Sequence, residues 1–176
     1  MTAVDLTGRR VQVRPVGARD PAVLALFDAL TGELAGEGYS PEETFGYSTD
    51  QLERAGVVLF AVDVDDELVG VGGIEIERAN GAVTGELKRC YVAPAHRGTG
   101  VADAVMGALV DHARSEGAST LLLETGDRQH AAIAFYRRHG FEVTPRFGPY
   151  VASATSVCMA RQLDGTGAAG TMPAAG

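Results

Sequence analysis

Asn80-Gly81 constrains this chain more than any other pair of residues in it. Both residues tolerate the positive φ of a type I′ turn, and apolar, β-branched runs flank them, so they predict a tight hairpin. With these two as the loop, Ala79 pairs with Ala82, and counting back sets Glu75 directly opposite Glu86. Like charges facing each other across antiparallel strands repel. Such a pair is either spread into solvent or put to use, raising one carboxylate's pKa or holding a cationic group. A bulge in either strand would shift the register by one and separate the two side chains.

The strands of this hairpin run from Leu68 to Glu77 and from about Val83 to Val92. Val57 to Asp63 precedes them as a further antiparallel strand, joined through Val64-Asp65-Asp66-Glu67. Upstream, Val11 to Arg14 alternates as a short strand that stops at Pro15. Asp20-Pro21 then reads as an N-cap and first helical residue, opening a helix with Val23, Leu24, Phe27, Leu30 and Leu34 on one stripe. Tyr39 to Gln51 is either a second short helix or a loop. Downstream come a helix after Gly100, a strand at Leu121 to Glu124, a helix from Gln129 to His139, and strands at Phe141 to Val143 and Thr155 to Met159. This order predicts an α+β fold with one mixed, mostly antiparallel central sheet and helices on both faces. Residues 1–163 are expected to form a single domain. Residues 164–176 collapse in composition to Gly, Ala, Thr and Pro, which predicts a disordered tail.

The chain has 176 residues and a net charge of −8, with no long Lys/Arg run, which argues against a nucleic-acid or anionic-membrane surface. An acidic surface instead suits an amine substrate. No apolar run approaches the ~18–20 residues of a membrane span, and Met1 to Asp5 does not open a basic-then-apolar leader. Cys90 and Cys158 lie inside separate apolar runs and read as small buried hydrophobes in a reducing compartment. The expected location is the cytoplasm. His96, His112 and His139 are not spaced as metal ligands, so no metal is expected.

Arg97-Gly98-Thr99-Gly100 stands between the apolar strand and the following helix. A helix N-terminus carries unpaired N–H groups and partial positive charge, glycines let a ligand approach the backbone, and Arg97 adds a full charge. The segment is either a phosphate cradle or an ordinary glycine turn. It lacks the Lys-Ser/Thr of a mononucleotide loop and the three glycines of a dinucleotide fingerprint.

Arg97-Gly98-Thr99-Gly100-Val101-Ala102 resembles the Arg/Gln-x-x-Gly-x-Gly/Ala signature of the GNAT superfamily of acyl-CoA-dependent N-acetyltransferases. Glu86 to Val92 is similar to the strand before that signature, and Ala132 to Phe141 to the family's later Ala-Ile-x-x-Tyr-x-x-x-Gly-Phe segment. The resemblance runs from about Val11 to Gln162. It implies acetyl-CoA as co-substrate, its pyrophosphate on the backbone of Gly98, Thr99, Gly100, Val101 and Ala102 beside Arg97. It further implies a pantetheine arm along Tyr91 and Val92, where the strand splays from its parallel neighbour. Gln129 stands where relatives often carry Asn to contact the cofactor. Relatives often dimerise through late strands or the sheet edge, so a homodimer is among the expectations.

Acetyl transfer to an amine needs a neutral nucleophile and a protonated thiolate leaving group. The resemblance makes Tyr136 the acid; its alternative is packing, since Ala132, Ile133 and Tyr136 share a helical face. Glu86 is the first choice as base or water-holder, with Glu75 or a water chain as alternatives. Cys90 is not needed as a nucleophile, because the amine attacks directly in a ternary complex. Substrate recognition is expected from Glu33 to Gln51, with Glu37, Tyr39, Glu42 and Glu43 concentrating acid and aromatic character, unless this is only a solvated loop. Phe147 to Tyr150 would form the other rim. The competing reading is a catalytically silent acyl-CoA-binding sensor or scaffold.

Overall fold

The computed structural model describes residues 8–163. The predicted tail lies outside the described residues. Strand β1 (Val11–Val16) leads into helix α1 (Pro21–Gly36), a 3-10 turn at Pro41–Glu43, and helix α2 (Thr49–Arg54). Strands β2 (Val58–Val64), β3 (Glu67–Ala79) and β4 (Ala82–Val92) follow as antiparallel neighbours. Helix α3 (Val101–Ser115), β5 (Thr120–Gly126), α4 (His130–Arg138), β6 (Glu142–Val143) and β7 (Ser156–Gln162) follow within the described residues. The sheet order is β1-β2-β3-β4-β5-β7-β6, and only β4 and β5 run parallel.

Local chemistry accounts for the boundaries. Asp20 caps α1 by accepting the Ala22 N–H at 2.8 Å, and Pro21 occupies the first turn, where its missing donor costs nothing. The stretch from Tyr39 to Gln51 resolves into the 3-10 turn and α2, each opened by a capping box: Ser40 with Glu43, and Ser48 with Gln51. Contrary to the sequence reading, β1 does not stop at Pro15 but carries it, opposite Phe60. β1 is an edge strand, where a proline need not break a ladder on its open side.

The two faces of the sheet bury separate cores. Val23, Phe27 and Leu52 of α1 and α2 pack on Leu59, Val71 and Tyr91. On the other face Val101, Val105, Met106 and Leu109 of α3 pack on Val62, Ile74, Leu87, Leu121 and Leu123. α3 lies close because β3 presents glycine there: a methyl added to Gly72 would stand 2.6 Å from a Val105 methyl. That close packing holds the N-terminus of α3 at the end of β4.

Candidate active site

β4 and β5 pair at three positions only, Thr84 with Thr120, Gly85 with Leu121 and Glu86 with Leu122. Beyond Glu86 the ladder stops while both strands continue, so Leu87 to Val92 leave the β5 side of β4 without a strand partner. Within that stretch β4 bulges: Val71 faces Tyr91 and Gly73 faces Lys88, leaving Arg89 and Cys90 together opposite Gly72. Arg89 takes the left-handed conformation, with φ 54°. The bulge interrupts alternation. Lys88 lies over the Tyr47 ring and Arg89 over the Phe27 ring, both on the α1 side, whereas Cys90 packs beside Gly72 under α3.

The splay opens a cleft of about 590 Å³, lined by Cys90, Tyr91, Val92, Arg97, Gly98 and Ala102 on one side and Gln129, Ala132 and Tyr136 on the other. Gly98 and Gly100 have φ 73° and 93°, and Gly100 is the N-cap of α3 without a side-chain cap. The first backbone bond of that helix runs from Ala104 N–H to the Gly100 carbonyl at 3.0 Å, so the amides before it point out of the helix mouth. Arg97 is held by neighbours, donating to Glu33 at 2.7 Å and to the Val92 carbonyl at 3.0 Å, with Tyr91 beneath it at 5.3 Å. Gln129 turns its carbonyl oxygen to the Thr125 hydroxyl (2.7 Å) and the Gly126 N–H (3.3 Å). Glu37 lines this cleft and buries a carboxylate oxygen, Oε2, that has no hydrogen-bond partner. An uncapped helix mouth, an open strand edge and an orphaned acceptor fit a long polar ligand carrying an anionic end and amide donors.

A smaller pocket of about 130 Å³ adjoins it, lined by Phe45, Tyr47, Lys88, Arg89, Glu124 and Tyr150 among others. The two cavities share Leu30, Cys90, Gln129, Ala132 and Tyr136. Burial pushes the Tyr136 phenol well above its ordinary value and the Cys90 thiol up to about 12, so both are protonated at neutral pH. Tyr136 thus carries its proton at the junction of the two cavities, and a thiol raised this far is a poor nucleophile. Cys158 is fully buried as expected, but Cys90 is only half-buried, because the splay exposes it to the cleft.

Glu75 does stand opposite Glu86, and Lys88 lies between them. Its ammonium, 8% exposed, is 2.7 Å from Glu86 Oε1 and 3.8 Å from Glu75 Oε2. The Tyr47 hydroxyl donates to Glu75 (3.1 Å) and the Tyr150 hydroxyl to Glu86 (2.7 Å). Both carboxylates are thus engaged, and neither lines the smaller pocket. Glu124 does line it. Burial raises its pKa above the ordinary carboxylate value, repulsion from Glu86 adds to this, and the Ser156 hydroxyl opposes it at 2.6 Å from Oε1. Tyr39 is turned inward, its hydroxyl accepting the Arg128 N–H at 2.6 Å and donating to Asp127 at 3.1 Å. It ties the end of α1 to the end of β5 while its ring lines the smaller pocket. Sequence reasoning missed Tyr47, Lys88, Arg89 and Glu124; the hairpin register pointed to their neighbourhood, but nothing marked the bulge that groups them.

The family model for the Acetyltransferase (GNAT) family matches residues 24–141, a span that includes the splayed strands, the glycine turn and the uncapped helix. The chain belongs to the GNAT family. An IAA acetyltransferase of Azospirillum brasilense is 34% identical over 142 residues, 81% of this GNAT chain and 91% of that protein. A streptothricin acetyltransferase of Streptomyces lavendulae is 33% identical over 138 residues, 78% of this chain and 66% of that one. Among solved structures, one from Klebsiella pneumoniae, described as an acyl-CoA N-acyltransferase, superposes with a TM-score of 0.72 at 29% identity, covering 90% of this chain and 99% of its own. A GNAT acetyltransferase from Elizabethkingia anophelis with acetyl-CoA bound shares the fold, with a TM-score of 0.63 at 17% identity over 87% of this chain and 98% of its own. Among the described residues, no helix is long and apolar enough to cross a membrane.

Proposed function

We propose that this GNAT protein transfers the acetyl group of acetyl-CoA to a primary amine, by direct attack within a ternary complex. The observation that carries this reading is the meeting of two cavities at Tyr136, a long cleft suited to the carrier and a small pocket suited to the acceptor. The amides from Gly98 to Ala102 would hold the pyrophosphate, with the positive end of α3 behind them. The open edge of β4 at Tyr91 and Val92 offers backbone groups to the pantetheine amides. Acetyl-CoA supplies an activated acyl group as a thioester, and the protein supplies orientation and proton management. Tyr136 is the acid that delivers a proton to the departing sulfur. The base role moves from Glu86 to Glu124, because the pocket reaches Glu124 directly while Glu86 already accepts from Lys88 and Tyr150. Glu86 contributes through its charge, which helps raise Glu124 toward the working pH of a base.

Calorimetric titration with acetyl-CoA tests the first half of this reading, and a thiol-release assay on primary amines tests the second. The wild-type protein should bind acetyl-CoA, and an Arg97→Glu, Gly100→Asp double variant should lose that binding. No binding by the wild-type protein would overturn the proposal.

A further inference from the structure

Arg89 is out of keeping with its surroundings. It lines the smaller pocket and not the long cleft, so the anionic end of a carrier in the long cleft does not meet it. One guanidinium N–H donates to the Phe27 carbonyl at 3.2 Å, and the group stacks on the Phe27 ring, with its carbon 4.7 Å from the ring centroid. Its Nε is buried and has no hydrogen-bond partner. Among the described residues, no carboxylate lies within 4.0 Å of it; Asp28 acts on it only at longer range. Desolvation lowers its pKa, as expected of a cation removed from water without a counter-ion. Its backbone adds strain, since φ 54° is costly for a residue with a Cβ.

The contrast with the preceding residue is sharp. Lys88 is compensated by two carboxylates and two tyrosines, while Arg89, brought to the same face by the bulge, has no carboxylate within ion-pair distance among the described residues and donates only to the Phe27 carbonyl. Across the pocket, Glu124 holds the opposite imbalance. Among the described residues its one hydrogen-bond donor is the Ser156 hydroxyl, and no cation lies within ion-pair distance of it. Glu43 is already used, capping its own turn and accepting from Thr155. The pocket therefore offers one cation lacking an anion and one carboxylate lacking a cation, within a volume of about 130 Å³.

We infer that the acceptor is a small aminocarboxylate, whose carboxylate is bound by Arg89 while its amine is received on the Glu124 side. This rests on the acetyltransferase reading above and narrows it from amines in general to amines that carry their own anionic group. Arg suits that task because its planar fork matches a carboxylate, and its Nη1, beside Gly46 in the pocket wall, is the tine left to donate.

The test uses acetyl-CoA with paired acceptors in a thiol-release assay: leucine, phenylalanine, β-alanine and γ-aminobutyrate, each against its amide and, where one exists, its decarboxylated amine. The wild-type protein should favour acids over their uncharged counterparts by on the order of 10²-fold in kcat/KM, as losing one partner of a buried charge pair implies. Arg89→Met should bring that ratio close to one, chiefly through KM for the acid. Equal or better use of uncharged amines by the wild-type protein overturns the proposal without any variant. Acetyl-CoA binding with the whole acid panel inert overturns it as well. An Arg89→Met protein that slows acids and amines equally would assign Arg89 to the acyl carbonyl and refute the carboxylate role. Absence of acetyl-CoA binding would take down the acetyltransferase reading and this inference with it.

Discussion

Replacing Lys88 by Met removes the one cation that separates Glu75 from Glu86 and keeps a side chain of similar length. The ammonium is 8% exposed, 2.7 Å from Glu86 and 3.8 Å from Glu75, donates to the Tyr150 hydroxyl oxygen (3.3 Å) and lies over the Tyr47 ring (4.4 Å). Solvent screening is weak at this burial, so the pair is not comparable to a surface salt bridge worth about 0–1 kcal/mol. Its loss leaves two part-buried carboxylates facing each other across β3 and β4, and breaking a buried pair in this way costs about 3–5 kcal/mol. For a protein of this size each kcal/mol corresponds to roughly 2–4 °C, so Tm should fall by about 6–20 °C. Thermal and urea unfolding at pH 7 measure it. A triple variant, Lys88→Met with Glu75→Gln and Glu86→Gln, should recover most of the loss, because it removes the stranded charges along with the cation. A single-variant cost below about 1 kcal/mol, or no recovery in the triple variant, would refute the buried-cluster reasoning.

Two further outcomes concern the chemistry. Tyr136→Phe removes the proton donor at the junction of the cavities, so kcat should fall by about 10²–10⁴ with acetyl-CoA affinity nearly unchanged; a change confined to stability would return Tyr136 to a packing role. Burial raises Glu124, so the kcat/KM profile of the wild-type protein should lose activity on the acid side at a pH above the ordinary carboxylate range, and Glu124→Gln should lower the rate and abolish that limb. The stability sign is fixed by the same shift: the folded state holds the proton more tightly, so the wild-type protein loses stability as pH rises from the ordinary carboxylate value through the raised one. Glu124→Gln should be free of that loss. A wild-type unfolding free energy with the same pH slope as the Gln variant would contradict it.

Much of this architecture was legible because local signals agreed with the global one. Asn80 and Gly81 both adopt positive φ, and the register counted from them holds as far as Glu75 opposite Glu86. Asp20-Pro21 opens α1 as its capping chemistry requires. Legibility ended at Arg89. A type I′ turn has a two-residue signature, whereas this bulge puts an arginine, not a glycine, in the left-handed region, and a strand that simply alternated would look the same in sequence. Alternation carried past Lys88 would send Arg89 to the α3 face and Cys90 to the α1 face, the reverse of what the ring and glycine contacts show. Lys88 was invisible for another reason. A lysine in a strand reads as a solvent-facing residue unless its partners are known, and those partners, Tyr47 and Tyr150, come from segments far away in the chain.

The bulge also explains why substrate recognition and cofactor binding share one strand without interfering. An unbroken β4 would alternate sides through the whole splayed segment, so each residue would serve one face in turn. The extra residue lets Lys88 and Arg89 both face the acceptor pocket, and the next two positions resume alternation with Cys90 toward α3 and Tyr91 toward α1. Tyr91 then carries Arg97 above its ring and donates to Glu33 at 3.2 Å, linking the glycine turn to α1. One inserted residue thus separates two charge environments along a single strand: a compensated and an uncompensated cation in the acceptor pocket, and an arginine already committed to Glu33 beside the cradle. On this argument, deleting Arg89 should do more damage than any substitution there. It would restore strict alternation with Lys88, Cys90 and Tyr91 on the faces they already occupy, but remove the bend that the bulge puts into the splayed segment and so disturb both cavities, whereas Arg89→Met leaves the bulge in place and removes the charge. Comparing acetyl-CoA affinity in the two variants tests this: it should be lost in the deletion and retained in Arg89→Met, and equal affinities would mean that the bulge does not organise the site.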